Sequence, residues 1–258
     1  MSPPRLFVEQ TLAARMPVRL EAPQAHYLRH VLRLRQGAPV LVFNGADGEW
    51  LGHLAEGREP TLVADSQTRP QREEAGPLLL VAPIKRPRLE WLVEKAVELG
   101  VARIAPVLTE RSVVRPESSQ RLRRQAVEAA EQCGRLSVPA VEEPGRLLRT
   151  VETAAAGAGV AFADEAGGGV PLLAALETGG IGGLLVGPEG GFAPAERAAL
   201  LAVSGVVPVS LGPLVLRAET AAIYAVACWR AMAGLRGDGT EGASSSTIRR
   251  ESTGGDSR

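Results

Sequence analysis

Two glycine-rich turns carry the residues of this chain whose types and spacing suit them to chemistry. The first is Leu184-Leu185-Val186-Gly187-Pro188-Glu189-Gly190-Gly191-Phe192, an apolar strand breaking into a loop just before a helix that opens with Pro194. A loop of this kind presents backbone N–H and C=O groups at the carboxyl edge of a parallel sheet, where open α/β folds bind ligands. Glycine and proline also punctuate ordinary strand-to-helix turns, so the pattern by itself equally admits a turn with no ligand. The second turn lies further along: Ser210-Leu211-Gly212-Pro213-Leu214-Val215-Leu216-Arg217-Ala218-Glu219-Thr220-Ala221. Its Leu-Val-Leu segment can line an adenine pocket, and Arg217 is the one cation in that neighbourhood. An Arg beside acids is equally at home in a solvated pair, here with Glu219 or Glu189, worth under about 1 kcal/mol. Glu219 in turn sits where a helix dipole alone favours an acid.

Other chemistries are excluded by what the chain lacks. It has no G-x-x-x-x-G-K-[ST], no H-E-x-x-H and no G-x-S-x-G, which removes the usual P-loop, zincin and serine-hydrolase readings. Cys133 and Cys228 show no metal-type pairing, so no metal is expected and both thiols read as free in a reducing cytoplasm. The first residues, Met1-Ser2-Pro3-Pro4-Arg5, carry no apolar signal core. Apolar runs such as 78–84 and 181–186 fall far short of the ~20 residues of a membrane span, so no membrane partner is expected. A formal net charge of zero hides a split: residues 85–149 hold thirteen Lys plus Arg against nine acids, whereas 150–235 hold three Arg against seven. Arg supplies 27 of the 29 basic residues. Its planar fork suits phosphates and base edges, although a GC-rich genome enriches Arg as well.

The elements that must position these turns are legible from periodicity. Up to about Val63 the pattern is strand-like. Pro39 to Phe43 runs through Asn44-Gly45-Ala46-Asp47-Gly48 into Glu49 to Leu54, which reads as a hairpin. Near-helical spacing of Tyr27, Leu28, Val31, Leu32 and Leu34 predicts one short helix over Pro23–Leu34. The polar stretch Asp65 to Pro77 is the expected linker. Beyond it Leu78 to Ile84 reads as a strand covered on both faces, and Leu89, Leu92, Val93, Ala96 and Val97 mark an amphipathic helix ended by Gly100. The alternation continues: strand 104–108, helix 119–133 stopped by Gly134, strands 160–163 and 181–186, helix 194–203, strand 206–211, helix 219–233. It predicts an α/β fold with a mainly parallel sheet. The Gly, Ser, Thr and charge-rich stretch 236–258 reads as a disordered tail.

Taken together, the two turns resemble the cofactor segments of the small-subunit ribosomal RNA uridine-N3 methyltransferases, within the SPOUT superfamily. Also similar are Glu94-Lys95-Ala96-Val97-Glu98-Leu99-Gly100-Val101, Thr109-Glu110-Arg111-Ser112 and Glu128-Ala129-Ala130-Glu131-Gln132-Cys133-Gly134-Arg135. Towards the start, Arg5, Phe7, His26, Leu28, Val31-Leu32-Arg33 and Phe43-Asn44-Gly45 join in, so the resemblance covers nearly everything but the tail. It implies a PUA-like RNA-binding β-barrel over 1–68 and a trefoil-knotted SPOUT domain over 77–235. It implies a homodimer with S-adenosylmethionine sites near its interface, and ribosomal RNA of the small subunit as partner. A SPOUT enzyme acting on another RNA position, or a non-catalytic PUA-type binding protein, are the alternatives.

What the resemblance implies for residues is specific. The cofactor is expected against Leu185, Val186, Gly187, Pro188, Glu189, Gly190, Gly191, Leu211, Gly212, Leu214, Leu216, Thr220 and Ala221. Arg217 is the expected electrostatic group for the uracil carbonyls and Glu219 a weaker candidate base. RNA contacts are expected from His26, Arg29, Arg33 and Arg35 around the N-terminal helix, and from Lys85, Arg88, Arg111, Arg124 and Arg135. Three positions depart from the family pattern: Ala193 replaces a capping Ser, Leu214 a commonly basic residue, and Ala218 a Thr.

Overall fold

The computed structural model describes residues 2–56 and 61–236. The chain begins with β1 (Arg5–Phe7), β2 (Pro17–Arg19), α1 (Ala22–His26), a π-helical turn (Tyr27–Val31), β3 (Pro39–Phe43), β4 (Glu49–Leu54) and β5 (Thr61–Arg69). The strands form one curled sheet in the order β1-β3-β4-β5-β2 around a core of its own that includes Leu6, Val18, Leu28, Val42 and Leu62. The β3–β4 hairpin turns as the sequence predicts: Gly45 and Gly48 take φ of 81° and 77°, and Asn44 Oδ1 accepts from the Ala46 and Asp47 N–H groups.

Two expectations are met only in part, for identifiable reasons. The helix over Pro23–Leu34 stops being α-helical after His26. The chain widens into a π turn closed by the Leu32 N–H on the Tyr27 carbonyl at 2.9 Å, and Arg33 follows at φ 54°. Leu28 is the only buried residue of that turn, so one apolar anchor, rather than a stripe, holds it. The polar stretch from Asp65 is not a linker throughout, because β5 continues to Arg69. Thr68 Oγ1 donates to Glu49 Oε1 at 2.9 Å and Arg69 Nε to the same oxygen at 3.0 Å, pairing that extends the strand without apolar side chains.

The rest is an α/β unit: β6 (Leu78–Val81), α2 (Arg86–Glu98), β7 (Arg103–Leu108), α3 (Ser119–Cys133), β8 (Ala140–Val141), β9 (Gly145–Arg146), α4 (Leu147–Gly157), β10 (Gly159–Ala163), β11 (Val170–Pro171), α5 (Leu172–Glu177), β12 (Ile181–Val186), α6 (Pro194–Ala202), β13 (Val206–Ser210) and α7 (Ala218–Arg236). The main sheet runs β11-β13-β10-β12-β6-β7-β8, and every ladder in it is parallel. Residues of α2, α3 and α7 pack on one face with Leu79, Val81 and Leu184. Residues of α4 and α6 pack on the other with Leu80, Phe162 and Leu185. That two-sided burial is why Leu78-Leu79-Leu80-Val81 is apolar without alternation. Helix α3 begins on the Ser118 cap and ends at Gly134 in the left-handed region, as its sequence indicates. Helices α4 and α5 escape the sequence reading: their N-cap positions, Arg146 and Pro171, make no side-chain cap bond, and α5 has six residues. Arg236 is the last residue of α7, while 237–258, the rest of the expected tail, lie outside the described residues.

A polar cluster joins the two units. Arg5 donates to Glu49 at 2.6 Å and to the carbonyls of Ala130, Glu131 and Arg135 at the end of α3, with its guanidinium 4.4 Å from the Phe43 ring centroid. Arg69 bridges Glu49 and the Gly134 carbonyl, and Glu131 Oε1 accepts the Phe7 N–H at 2.9 Å. Cations near the carboxyl end of a helix are favoured by its dipole. Burial pushes the Glu49 carboxyl up, but its bonds to Arg69, Arg5 and Thr68 outweigh that and hold it below the usual carboxylate range. Glu131 lies on the other side of this balance: burial raises it more than the Phe7 bond lowers it.

Candidate functional site

The strand order creates the site. β12 lies between β10 and β6, so the connections run in opposite directions from that point, and the crevice above such a switch is where open α/β sheets take ligands. Strand β13 lies beyond β10, whereas α7 packs on β12, β6 and α2. The connection 211–217 must therefore cross the carboxyl edge of the sheet, beside the loop 187–193 that follows β12. Two turns far apart in sequence become neighbours because of this crossing. The third wall is 82–85, tied down by the Ala82 N–H on the Val186 carbonyl at 3.1 Å.

Arg88, in the first turns of α2, joins the walls. Its Nη1 donates to Glu189 Oε1 at 3.2 Å and its Nε lies 3.5 Å from Glu219 Oε1. The alternative pairing of Arg217 with Glu219 or Glu189 does not occur. The Arg217 side chain is exposed and makes no hydrogen bond or ion pair among the described residues. Glu219 is 8% exposed, and its Oε2 is buried with no hydrogen-bond partner among the described residues. A buried carboxylate oxygen with no donor costs of the order of 1–3 kcal/mol. Arg217 and Glu219 thus flank the start of α7, one charged and open, the other buried and half-satisfied.

The glycines divide by role. Gly191, at φ 64°, takes a backbone conformation that disfavours a side chain, and a Cβ there would fall 1.6 Å from Glu165 Oε1, the free end of an exposed side chain that can swing aside. At Gly187 a Cβ would meet the Phe192 ring at 2.6 Å, so the loop's own packing requires that glycine. Gly212, at φ 117°, faces open space, and a Cβ at Gly190 would only touch Arg111 at 3.6 Å. Arg111 caps this loop by donating to the Gly190 carbonyl at 3.1 Å. Glu196 repairs the cap that Ala193 leaves unmade: its Oε2 accepts the Ala193 N–H at 3.1 Å and its Oε1 the Glu110 N–H at 2.7 Å. Asp164, at the end of β10, grips Arg197 of α6 with two oxygens, a pair absent from the sequence reading because no spacing links the two positions.

Of the residues expected at the cofactor, Pro188, Glu189, Gly190 and Gly191 share this edge with Leu211, Gly212, Leu214, Leu216, Thr220 and Ala221. Leu185 and Val186 contribute backbone only, because their side chains are buried in the two core layers. Leu214 and Val215 are 76% and 93% exposed, an apolar rim standing open at the site. The expected RNA residues also divide. His26, Arg29, Arg33, Arg35, Lys85, Arg111 and Arg124 are exposed. Arg88 is committed to Glu189 and Glu219. Arg135 is a correction: it is buried, and its guanidinium donates to the carbonyls of Val97 and Val101, to Ser137 and to Glu74, which leaves no face for RNA.

Two cavities, of about 570 and 450 Å³, include the amino-terminal ends of the strands in their walls, at Leu78, Arg103 and Gly182 and at Gly159, Ile181 and Gly205. Neither includes the glycine loops. Volume and chemistry disagree here, and the chemistry carries more weight, because the unpaired Arg217, the orphaned Glu219 oxygen and the glycine loops coincide at the carboxyl edge. Among the described residues no group of three or more His, Cys, Asp or Glu could hold a metal ion.

Comparison with known proteins follows the same division. Residues 74–230 match the RNA methyltransferase domain family and residues 20–63 the RNA methyltransferase PUA domain family. The chain is 31% identical over 229 residues to ribosomal RNA small subunit methyltransferase E of Rickettsia conorii, covering 86% of this chain and 93% of that one. It is 34% identical over 233 residues to its counterpart in Synechocystis, covering 86% and 76%. Among solved structures, a putative methyltransferase of Legionella pneumophila with bound S-adenosylmethionine superposes with a TM-score of 0.80 at 28% identity, covering 90% and 98%. Ribosomal RNA small subunit methyltransferase E of Neisseria gonorrhoeae, also bound to S-adenosylmethionine, gives 0.78 at 26%, covering 91% and 98%.

Proposed function

The chain belongs to the ribosomal RNA small subunit methyltransferase E family, and on that premise we propose that it methylates N3 of one uridine in small-subunit ribosomal RNA, using S-adenosylmethionine. One observation carries the chemical part. At the start of α7 a partnerless Arg217 stands two positions from Glu219, whose buried Oε2 lacks any donor among the described residues.

The residues fit the cofactor. Its apolar and polar parts ask for apolar side chains and exposed backbone groups, which Leu211, Leu214, Leu216 and the turns at Gly187–Gly191 and Gly212 supply. When bound, S-adenosylmethionine supplies an electrophilic methyl group on a sulfonium. The protein's task is then to prepare the nucleophile. Uracil N3 carries an imide proton, and the nitrogen becomes a good nucleophile once that proton leaves. Glu219 Oε2 accepts it in our reading, which gives the orphaned oxygen its donor. Arg217, free of any carboxylate, stabilises the negative charge that spreads to the flanking carbonyl oxygens. Arg88 holds Glu219 and the Glu189 loop in register, and fixed positioning is itself a large part of such a rate.

We take the exposed rim at Leu214 and Val215, together with Tyr224 on α7, as the surface a second copy covers, in keeping with the homodimer and trefoil knot that the resemblance implies. Val215→Asp should convert a dimer to a monomer in sedimentation. The reaction itself is tested by incubating the full chain with S-adenosylmethionine and small subunits from a deletion strain, then mapping the RNA by mass spectrometry. N3-methyluridine at one position is expected. A methyl group elsewhere would make this another SPOUT reaction, and absence of cofactor binding by calorimetry would leave an RNA-binding module.

A further inference from the structure

The segment 22–36, Ala-Pro-Gln-Ala-His-Tyr-Leu-Arg-His-Val-Leu-Arg-Leu-Arg-Gln, contains no acid. It folds as α1 and the π turn, with Leu28 buried in the core and Ala25 and Leu34 packed against it. Its outer face is therefore built from exposed residues: the His26 and His30 rings stack with centroids 4.8 Å apart and 29° between planes, beside exposed Tyr27 and Val31. Arg29, Arg33 and Arg35 stand around them without an ion-pair partner among the described residues. The π turn is followed by Arg33 in the left-handed region, and irregular turns of this kind frequently mark functional sites.

We propose that this face is a stacking platform for an unpaired RNA base, with His26, His30 and Tyr27 as the flat surface and the three arginines neutralising the neighbouring phosphates. The proposal rests on the reading of the chain as an RNA methyltransferase and names what it grips besides the target uridine: a single-stranded nucleotide. Flat rings interleaved with unpaired cations fit a single strand, whose bases expose π faces, better than a duplex, whose bases are stacked internally. A protein partner would require an acidic surface to match the arginines and would leave the stacked rings unexplained. The placement suits a substrate that reaches the site. Gln24 Nε2 donates to the Phe7 carbonyl, and Phe7 meets both halves of α3, its N–H donating to Glu131 Oε1 and its ring lying 5.7 Å from the Arg123 guanidinium, which sets the platform alongside that helix. The amino-terminal turn of α3 meets α2 through Arg121 and Glu90. Exposed Arg124 lies on the same helix.

The test uses the full chain and a fluorescein-labelled uridine-rich RNA 12-mer, free or annealed to its complement. The double variant His26→Ala, His30→Ala should lose about tenfold or more in affinity for the single strand, the effect of one lost stacked base, with an unchanged salt slope and unchanged duplex affinity. His26→Phe with His30→Phe should restore binding, since a phenyl ring stacks without charge. Arg29→Gln with Arg33→Gln should instead reduce the salt slope on both RNAs. In methyl transfer the alanine pair should act through KM for RNA, with cofactor affinity within twofold of wild type. Equal losses on strand and duplex, failure of the phenyl rings to rescue, or no loss at all would overturn the platform. Wild-type turnover on ribosomal RNA, measured alongside, separates those results from a failure of the methyltransferase reading.

Discussion

The joint between the two units and the carboxyl edge of the main sheet are built from the same residue types and treat them oppositely. At the joint every cation is spent: Arg5 reaches one carboxylate and three carbonyls, Arg135 two carbonyls, a hydroxyl and a carboxylate. Glu74, which holds Arg135, also accepts from the Leu136 and Ser137 N–H groups. Burial pushes its carboxyl up, yet those bonds and the guanidinium keep it below the usual range. At the carboxyl edge the bonding is deliberately incomplete. Arg217 has no partner among the described residues and Glu219 only the long contact to Arg88. The contrast separates arginines that hold the fold from those that meet a substrate, a distinction their one-letter code does not contain.

Breaking the saturated side should have the largest effect. Arg135→Ala removes the cation beside Glu74 and one donor each from the Val97 and Val101 carbonyls, and breaking such a largely buried pair typically costs about 3–5 kcal/mol. Chemical denaturation should show that loss, and a variant of near wild-type stability would mean that water replaces the guanidinium. Breaking the unsaturated side should leave stability alone. Arg217→Ala is expected to keep its melting temperature and cofactor affinity while turnover falls about 10²–10³-fold, the loss typical of one preorganised donor. Arg217→Lys should fall between, because an ammonium brings charge without the planar fork. If the Ala variant unfolds or loses cofactor in step with activity, Arg217 is structural after all.

The intermediate case is Arg88, which serves both sides of the comparison. Arg88→Gln should lower turnover about tenfold, in keeping with a modest misplacement of a reacting group. An unchanged turnover would mean that Arg88 positions neither acid for the reaction. The smallest effect is expected at Glu131. Its carboxyl is raised in the folded state, so the folded protein binds that proton more tightly. Glu131 therefore costs stability as pH rises through its folded value, the reverse of Glu49 and Glu74, whose contributions are lost as pH falls through theirs. Glu131→Gln keeps an oxygen for the Phe7 N–H and removes the charge. Scanning calorimetry at neutral pH should show a rise of about 1–2 °C, shrinking towards acid; a fall would show that the charge supports the joint.

Much of this molecule follows from its sequence alone. The two-sided strand at Leu78–Val81, the amphipathic run that became α2, the Asn-Gly hairpin and the Gly134 stop are local consequences of side-chain period and backbone freedom, and they appear where the residues place them. The glycine turns could be recognised as ligand-type loops because their residues are adjacent. What tertiary structure decided is everything that depends on contact between distant positions. Strand order brought 187–191 beside 211–217, and α2 supplied Arg88 across more than a hundred residues to Glu189 and Glu219. Arg135 and Arg217 look alike in sequence, each beside a glutamate-containing helix. Only packing shows that one is enclosed by four acceptors and the other by none, because the cost of burying a charge is set by the acceptors that surround it in space, not by its neighbours along the chain.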